Sequence, residues 1–191
     1  MVKSRTKIRR HPERALQVPE DAESILSQAL VAHVGIVDDG CPVVIPMTFL
    51  YQDGSVYLHG APGSRLVKSL AAGNPVCIET TLVDGLIASK AAESHSVNYR
   101  SVVCFGRGTL VQEQDRRRRI LETMIARYFP GRTAGVDYAP ITEREDKSTR
   151  LVEVRIEAMS AKGRAGGPRG AFDDDPDTPG NAGLHPVTSG V

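Results

Sequence analysis

The sequence predicts a mainly-β, α+β fold: a barrel of six antiparallel strands with flanking helices. Three observations predict it. Asp-Gly pairs at 39–40 and 53–54 separate apolar, β-branched runs, so neighbouring strands reverse through tight turns. The segments with helical spacing are few and do not alternate with the strands, which disfavours a doubly wound parallel sheet. The 191 residues carry no internal repeat and suit one domain with a tail.

The elements follow in chain order. Residues 19–31 open on Pro19-Glu20-Asp21 and place Ile25, Leu26, Ala29 and Leu30 at helical spacing behind an acidic first turn. Ala32–Val37 reads as a strand. The chain returns through Val43–Tyr51, turns again, and continues as Val56–His59, completing an antiparallel meander. A helix over 64–72 turns Leu66, Val67, Leu70 and Ala71 inward, and Gly73-Asn74-Pro75 ends it. Val76–Leu82 and Ser101–Val111 are strand segments, whereas Ile87–Tyr99 matches neither period. A helix over 114–129 carries the stripe Ile120, Leu121, Met124, Ile125, Tyr128 and Phe129, and Leu151–Ile156 is a last strand. From Gly163 to Val191 the chain is rich in Gly, Pro and Asp and cannot pack a core of its own. The expected division is a domain over 1–162 and a tail over 163–191.

Composition narrows the function. With 40% hydrophobic residues the chain can bury a core. A net charge of +1 gives no case for wrapping nucleic acid or coating an anionic membrane, and no apolar run is long enough to span a bilayer. Met1–Arg14 is basic, but no apolar stretch follows, so no secretory signal is expected. Cys41, Cys77 and Cys104 form no CxxC pair; each sits in an apolar run and reads as a buried thiol in a reducing compartment, hence the cytoplasm. The histidines make no metal-ligand spacing, and neither a nucleophile elbow nor a P-loop is present. Gly106 and Gly108 lie inside a strand pattern with no helix opening there, so they are not a dinucleotide fingerprint.

Four stretches could carry chemistry. In His59-Gly60-Ala61-Pro62-Gly63-Ser64-Arg65-Leu66-Val67-Lys68 a strand ends and a helix begins. Ser64 offers a hydroxyl there, and Arg65 and Lys68 share a face; together they suit a terminal phosphate, or else Ser64 is an ordinary N-cap and the cations are solvated. Pro46 cannot donate to a strand ladder and marks an edge or bulge, where a flat ligand could lie along Met47 and Thr48, unless this is a plain edge strand. His95–Ser101 is dense in hydrogen-bonding groups; Tyr99 and Arg100 could cover a ring and pair with an anion, or the segment is a polar loop. Arg116–Arg119 reads as the wet face of a helix, because acidic and amide residues flank it and no aromatic platform is interleaved.

As a set, these stretches resemble the FMN-binding split-barrel proteins of the pyridoxamine 5′-phosphate oxidase-like family, in its nitroimidazole-resistance (nitroreductase-like) branch. The resemblance runs from Ile8–Ala15 through His33–Gly40, Pro42–Pro46, Tyr57–Gly60, Ser64-Arg65, Asp84–Leu86, His95–Val103 and Pro130–Arg132 to Ser160–Arg164. It implies a six-stranded split barrel and a homodimer with FMN in the groove between subunits. It further implies phosphate held by Ser64, Arg65 and Lys68, the flavin ring along Pro46, Met47 and Thr48, His59 beside the cofactor, and Asn98, Tyr99, Arg100 and Ser101 approaching it.

The chain departs from the family in two places. It has no tryptophan, and where the branch ends in Trp-Ala-Gly it reads Asn181-Ala182-Gly183, so no aromatic lid is expected. It also lacks the C-terminal substrate motif of true pyridoxamine phosphate oxidases, whose activity is therefore not implied. The expected function is an FMN-dependent oxidoreductase passing electrons from a reduced nicotinamide to a small organic acceptor. Because the cofactor carries the chemistry, no catalytic side chain is assigned. The alternatives are a non-catalytic flavin-storage or sensing protein, or a barrel holding a deazaflavin or haem.

Overall fold

A computed structural model describes residues 5–187. Helix α1 (Glu20–Gln28) is followed by strands β1 (Ala32–Asp38), β2 (Cys41–Met47), β3 (Leu50–Gln52) and β4 (Ser55–Gly60). Helix α2 (Arg65–Ala71) then leads into the long strands β5 (Pro75–Ala88) and β6 (Ser96–Leu110). Helices α3 (Gln114–Tyr128) and α4 (Glu143–Ser148) precede β7 (Arg150–Arg164), and β8 (Gly183–Pro186) comes last. Both Asp-Gly turns have positive φ at both residues, 49° and 74° at Asp39-Gly40 and 50° and 74° at Asp53-Gly54. This is the backbone of a type I′ turn, whose twist suits a two-residue hairpin.

The strands pair antiparallel in the order β2-β1-β5-β6-β7-β4-β3, with β8 added beside β5. Alternate residues of this sheet face one core. Val34, Phe49, Leu58, Ile78, Val102 and Val152 fill it, and Ile25 and Leu26 of α1 and Leu66 and Leu70 of α2 cover it. Each such side chain contributes roughly 1.5–3 kcal/mol by leaving water. A smaller cluster of Leu50, Tyr57, Val111, Ile120, Met124 and Leu151 seats α3 on the outside of the sheet.

The six-stranded split barrel expected from the sequence is corrected in two respects. There are eight strands, and the sheet does not close: among the described residues β2 pairs only with β1, and β3 only with β4. The cause lies in the run 43–51, which the sequence presents as a single strand. It breaks at Thr48-Phe49, and chain connectivity rather than a hydrogen-bonded ladder links the two edges. Helix α3 takes the hydrogen bonds of Phe49. The Phe49 N–H donates to the Tyr128 hydroxyl at 2.9 Å, and the Phe49 carbonyl accepts from Arg127 Nη1 at 3.3 Å. The Arg127 guanidinium also donates to the carbonyls of Leu26 and Ala29 at the end of α1, so a single side chain pins the strand break to that helix.

Other sequence expectations shift as well. Much of the unassigned stretch 87–99 is strand, since β5 runs to Ala88 and β6 begins at Ser96. The last long strand extends to Arg164 instead of stopping at Ile156, because β6 pairs with it throughout that length. Of the three cysteines only Cys104 is buried; Cys77 is half-buried and Cys41, on edge strand β2, is exposed. Beyond residue 164 the chain is held at two places. Asp173 accepts from the Ser89 hydroxyl at 2.7 Å and the Lys90 N–H at 2.8 Å. β8 lies so close to β5 that a Cβ at Gly85 would sit 2.7 Å from Leu184 Cδ1.

Candidate functional site

One end of the molecule holds a cavity of about 510 Å³, within the size range of small-molecule and cofactor pockets. Its apolar wall is the outer face of α3, with Leu121, Ile125 and Phe129 at helical spacing. Tyr138–Ile141, in the segment between α3 and α4, close it on another side. Thr48 and His59 line it from the sheet. The β3–β4 hairpin explains why these two meet: Leu50 pairs with Tyr57, so extending the register by two residues sets 48 opposite 59.

His59 is the polar group of greatest interest in this wall. Its Nδ1 is buried and has no hydrogen-bond partner among the described residues. Burial lowers the imidazole pKa below its ordinary value, so the ring is neutral at neutral pH. Arg118 also lines the cavity, and its Nε is likewise buried without a partner. Buried polar atoms in native proteins are nearly always paired, so the cavity wall carries two polar groups whose partners the described residues do not supply.

The Arg116–Arg119 run, which the sequence presents as a wet face, is divided among several tasks. Arg116 pairs with Glu153 at 2.9 Å, and Arg117 with the buried Asp146 at 2.6 Å, tying α4 to α3. The Arg117 hydrogen bonds hold the Asp146 carboxyl below its ordinary pKa. Only Arg119 is a wholly exposed member of the run. Helical spacing alone could not separate these roles, because the partners come from β7 and α4.

Ser64, Arg65 and Lys68 lie just beyond His59. Ser64 has the extended backbone of an N-cap, yet its side chain caps nothing. Arg65 is exposed and reaches only a loose 3.6 Å contact with Asp38, and Lys68 is exposed and forms no ion pair among the described residues. These three groups are free to meet an anion. Pro46 and Met47 end β2 opposite His33 and Ala32 and lead directly to Thr48. Thus the structure brings Thr48 and His59 together at the cavity with Pro46 and Met47 beside them, whereas Arg65 reaches toward Asp38, at the other end of the β1–β2 ladder.

It does not bring 98–101 there within a single chain. On β7, Leu151 pairs with His59 whereas Gly163 pairs with Arg100, a separation of roughly 40 Å along the strand. The polar groups of 98–101 are also engaged. Asn98 Nδ2 donates to the Gly166 carbonyl at 3.0 Å, and its Oδ1 accepts from Arg164. Arg100 forks onto Asp84 at 2.7 and 3.0 Å and so holds that carboxyl below its ordinary pKa. Ser101 donates to the Lys162 carbonyl at 3.3 Å, and Tyr99 is half-buried opposite Arg164.

Sequence reasoning missed Arg118 and the cavity wall formed by residues 138–141. The signal available was Phe129, which widens the α3 stripe past what one buried face needs; it is 57% exposed.

Comparison with known proteins agrees with this architecture. The family profile described as pyridoxamine 5′-phosphate oxidase matches residues 19–163, well over half of the chain. No curated protein matches. Among solved structures, the chain is similar to the flavocytochrome Anf3 from Azotobacter vinelandii, with 29% identity, a TM-score of 0.86, and coverage of 98% of this chain and 86% of that one. It is similar to the FAD and haem binding protein from Mycobacterium smegmatis, with 29% identity, a TM-score of 0.81, and coverage of 92% and 84%. It shares the fold of a protein assigned to 5-nitroimidazole antibiotic resistance from Bacteroides thetaiotaomicron, at 23% identity, a TM-score of 0.66, and coverage of 91% and 90%. Among the described residues no helix is long and apolar enough to cross a membrane.

Proposed function

The chain belongs to the pyridoxamine 5′-phosphate oxidase family, and on that premise we propose that it is a flavin-binding oxidoreductase whose cofactor, FAD or FMN, sits between Thr48 and the start of α2. The observation that carries the reading is the uncommitted trio Ser64, Arg65 and Lys68 at the start of α2, a few residues after His59. A hydroxyl and two cations with no strong partner of their own match a phosphate. Pro46, Met47 and Thr48 would lie along the flavin ring, and His59 would flank it. When bound, the flavin supplies hydride acceptance and electron transfer, from a reduced nicotinamide to a small organic acceptor. The chain's own residues bind its phosphate, orient its ring and exclude water.

A second copy of the chain completes the groove. Val37 and Val44 on the β1–β2 hairpin are 64% and 63% exposed, an apolar edge that a partner would cover. Residues 98–101 would then reach the cofactor from the partner. Size-exclusion chromatography with light scattering at micromolar protein tests this: a dimer is expected, and a monomer that binds flavin tightly would remove 98–101 from the site.

A second prosthetic group is favoured by a separate observation, the apolar cavity walled by His59 and α3. The two relatives at 29% identity are a flavocytochrome and an FAD- and haem-binding protein. We therefore include haem in the reading. The absorbance spectrum of the purified protein, before and after soaking with FAD, FMN and haemin, tests both parts. A flavin band that bleaches on addition of NADH or NADPH is expected, together with a Soret band. A protein that takes up neither flavin would refute the oxidoreductase reading, and one that takes up flavin but no haemin would refute only the haem part.

A further inference from the structure

We propose that His59 is the iron ligand for haem in this cavity and that Arg118 pairs with one of the haem carboxylates; the inference rests on the haem part of the reading above. Haem makes three demands on a protein: a flat apolar enclosure, a nitrogen or sulfur donor for iron, and a cation for its carboxylates. The cavity meets each of them. Leu121, Ile125 and Phe129 supply an apolar surface from one helix face. His59 lines the cavity and supplies an imidazole; its Nδ1 is the buried nitrogen, and Nε2, which is not buried in this way and takes no hydrogen bond among the described residues, is the nitrogen available to a ligand.

Arg118 supplies the cation. Its neighbours on α3 are committed elsewhere, Arg116 to Glu153 and Arg117 to Asp146, while its own Nε is buried with no partner among the described residues. An unpaired guanidinium in such a wall costs free energy that a carboxylate would offset. Of the two carboxylates that also line the cavity, Glu145 is turned away from this role. Its Oε2 accepts from the Thr142 N–H at 2.9 Å and the Thr142 hydroxyl at 2.7 Å, in the capping box of α4. Glu122 stands one turn from Arg118 on the same helix, but the two form no ion pair among the described residues.

The experiment is titration of haemin, and of iron-free protoporphyrin as a control, into the full-length apoprotein, followed by the Soret band. Thermal melts check that each variant is folded. Wild type should bind both porphyrins. His59→Ala should lose the ligated haemin spectrum and bind haemin at least tenfold more weakly, yet bind protoporphyrin as wild type does, since only the iron contact is removed. His59→Met should restore a ligated spectrum, displaced from the wild-type one and with a higher reduction potential. Arg118→Ala should weaken both porphyrins by roughly 10–100-fold with the wild-type spectral shape, the loss expected of one charge-assisted carboxylate contact. If His59→Ala keeps the wild-type haemin spectrum, or loses haemin and protoporphyrin equally, His59 is not the ligand. An unchanged affinity in Arg118→Ala removes the carboxylate pairing. Wild type that binds no haemin would overturn the haem reading itself, an outcome distinct from either failure.

Discussion

Tyr128→Phe should destabilise the protein by about 2–3 kcal/mol, and the magnitude follows from the two shorter of three contacts of one hydroxyl, the third being with the Phe49 carbonyl at 3.1 Å. The Tyr128 hydroxyl accepts the Phe49 N–H at 2.9 Å and donates to the Leu30 carbonyl at 2.6 Å. Phe49 is fully buried, so losing the acceptor leaves its N–H without water or protein, at a cost of roughly 1–3 kcal/mol. Leu30 is 42% exposed, so water can replace the second bond and its loss costs closer to 0.5–1 kcal/mol. For a chain of this length each kcal/mol shifts Tm by roughly 2–4 °C, which gives a decrease of about 4–12 °C. Calorimetry and urea unfolding measure it, with the urea slope unchanged. Because the broken segment 48–49 leads into the cavity wall, haemin affinity should fall as well. A Tm within about 1 °C of wild type would refute the argument that Tyr128 satisfies the backbone at the strand break.

Three further outcomes follow from the geometry. Arg65→Ala should weaken FAD and FMN by about tenfold or more and riboflavin hardly at all, because only the first two carry phosphate; equal losses in equilibrium titrations would take Arg65 out of the phosphate site. Asp84 and Asp146 both have carboxyl pKa values lowered in the folded state by hydrogen bonds from Arg100 and Arg117. Their stabilisation is therefore complete above the unfolded carboxylate pKa of about 4 and is lost as pH falls through the folded values. Thermal melts from neutral to acid should show Tm dropping in that window, with a smaller drop in Asp146→Asn from its lower starting point; a variant as acid-sensitive as wild type would overturn the assignment. Gly85→Val should release β8, since even a Cβ there meets Leu184 Cδ1 at 2.7 Å and the His185 carbonyl at 3.1 Å. Hydrogen exchange at 183–186 should rise while β6 stays protected, and unchanged protection of β8 would refute the close-approach argument.

By itself the sequence determined what depends on neighbours along the chain. Asp39-Gly40 and Asp53-Gly54 dictate type I′ reversals because left-handed φ at two successive residues suits those residue types. The spacing of Ile25-Leu26 and of Leu66, Val67 and Leu70 dictates which helix faces are buried. The motifs from Ile8–Ala15 to Ser160–Arg164, taken as a set, sufficed to identify the family. Only the tertiary structure decided what depends on partners distant in the chain. Whether Val43–Tyr51 is one strand or two turns on Arg127 and Tyr128, some 80 residues away, which take the hydrogen bonds that would have continued the ladder. Whether four consecutive arginines are surface or structure turns on Glu153 and Asp146. The cavity needs α3, the segment before α4 and the end of β4 together, and the unpaired His59 and Arg118 that give it meaning exist only once burial has removed water from them.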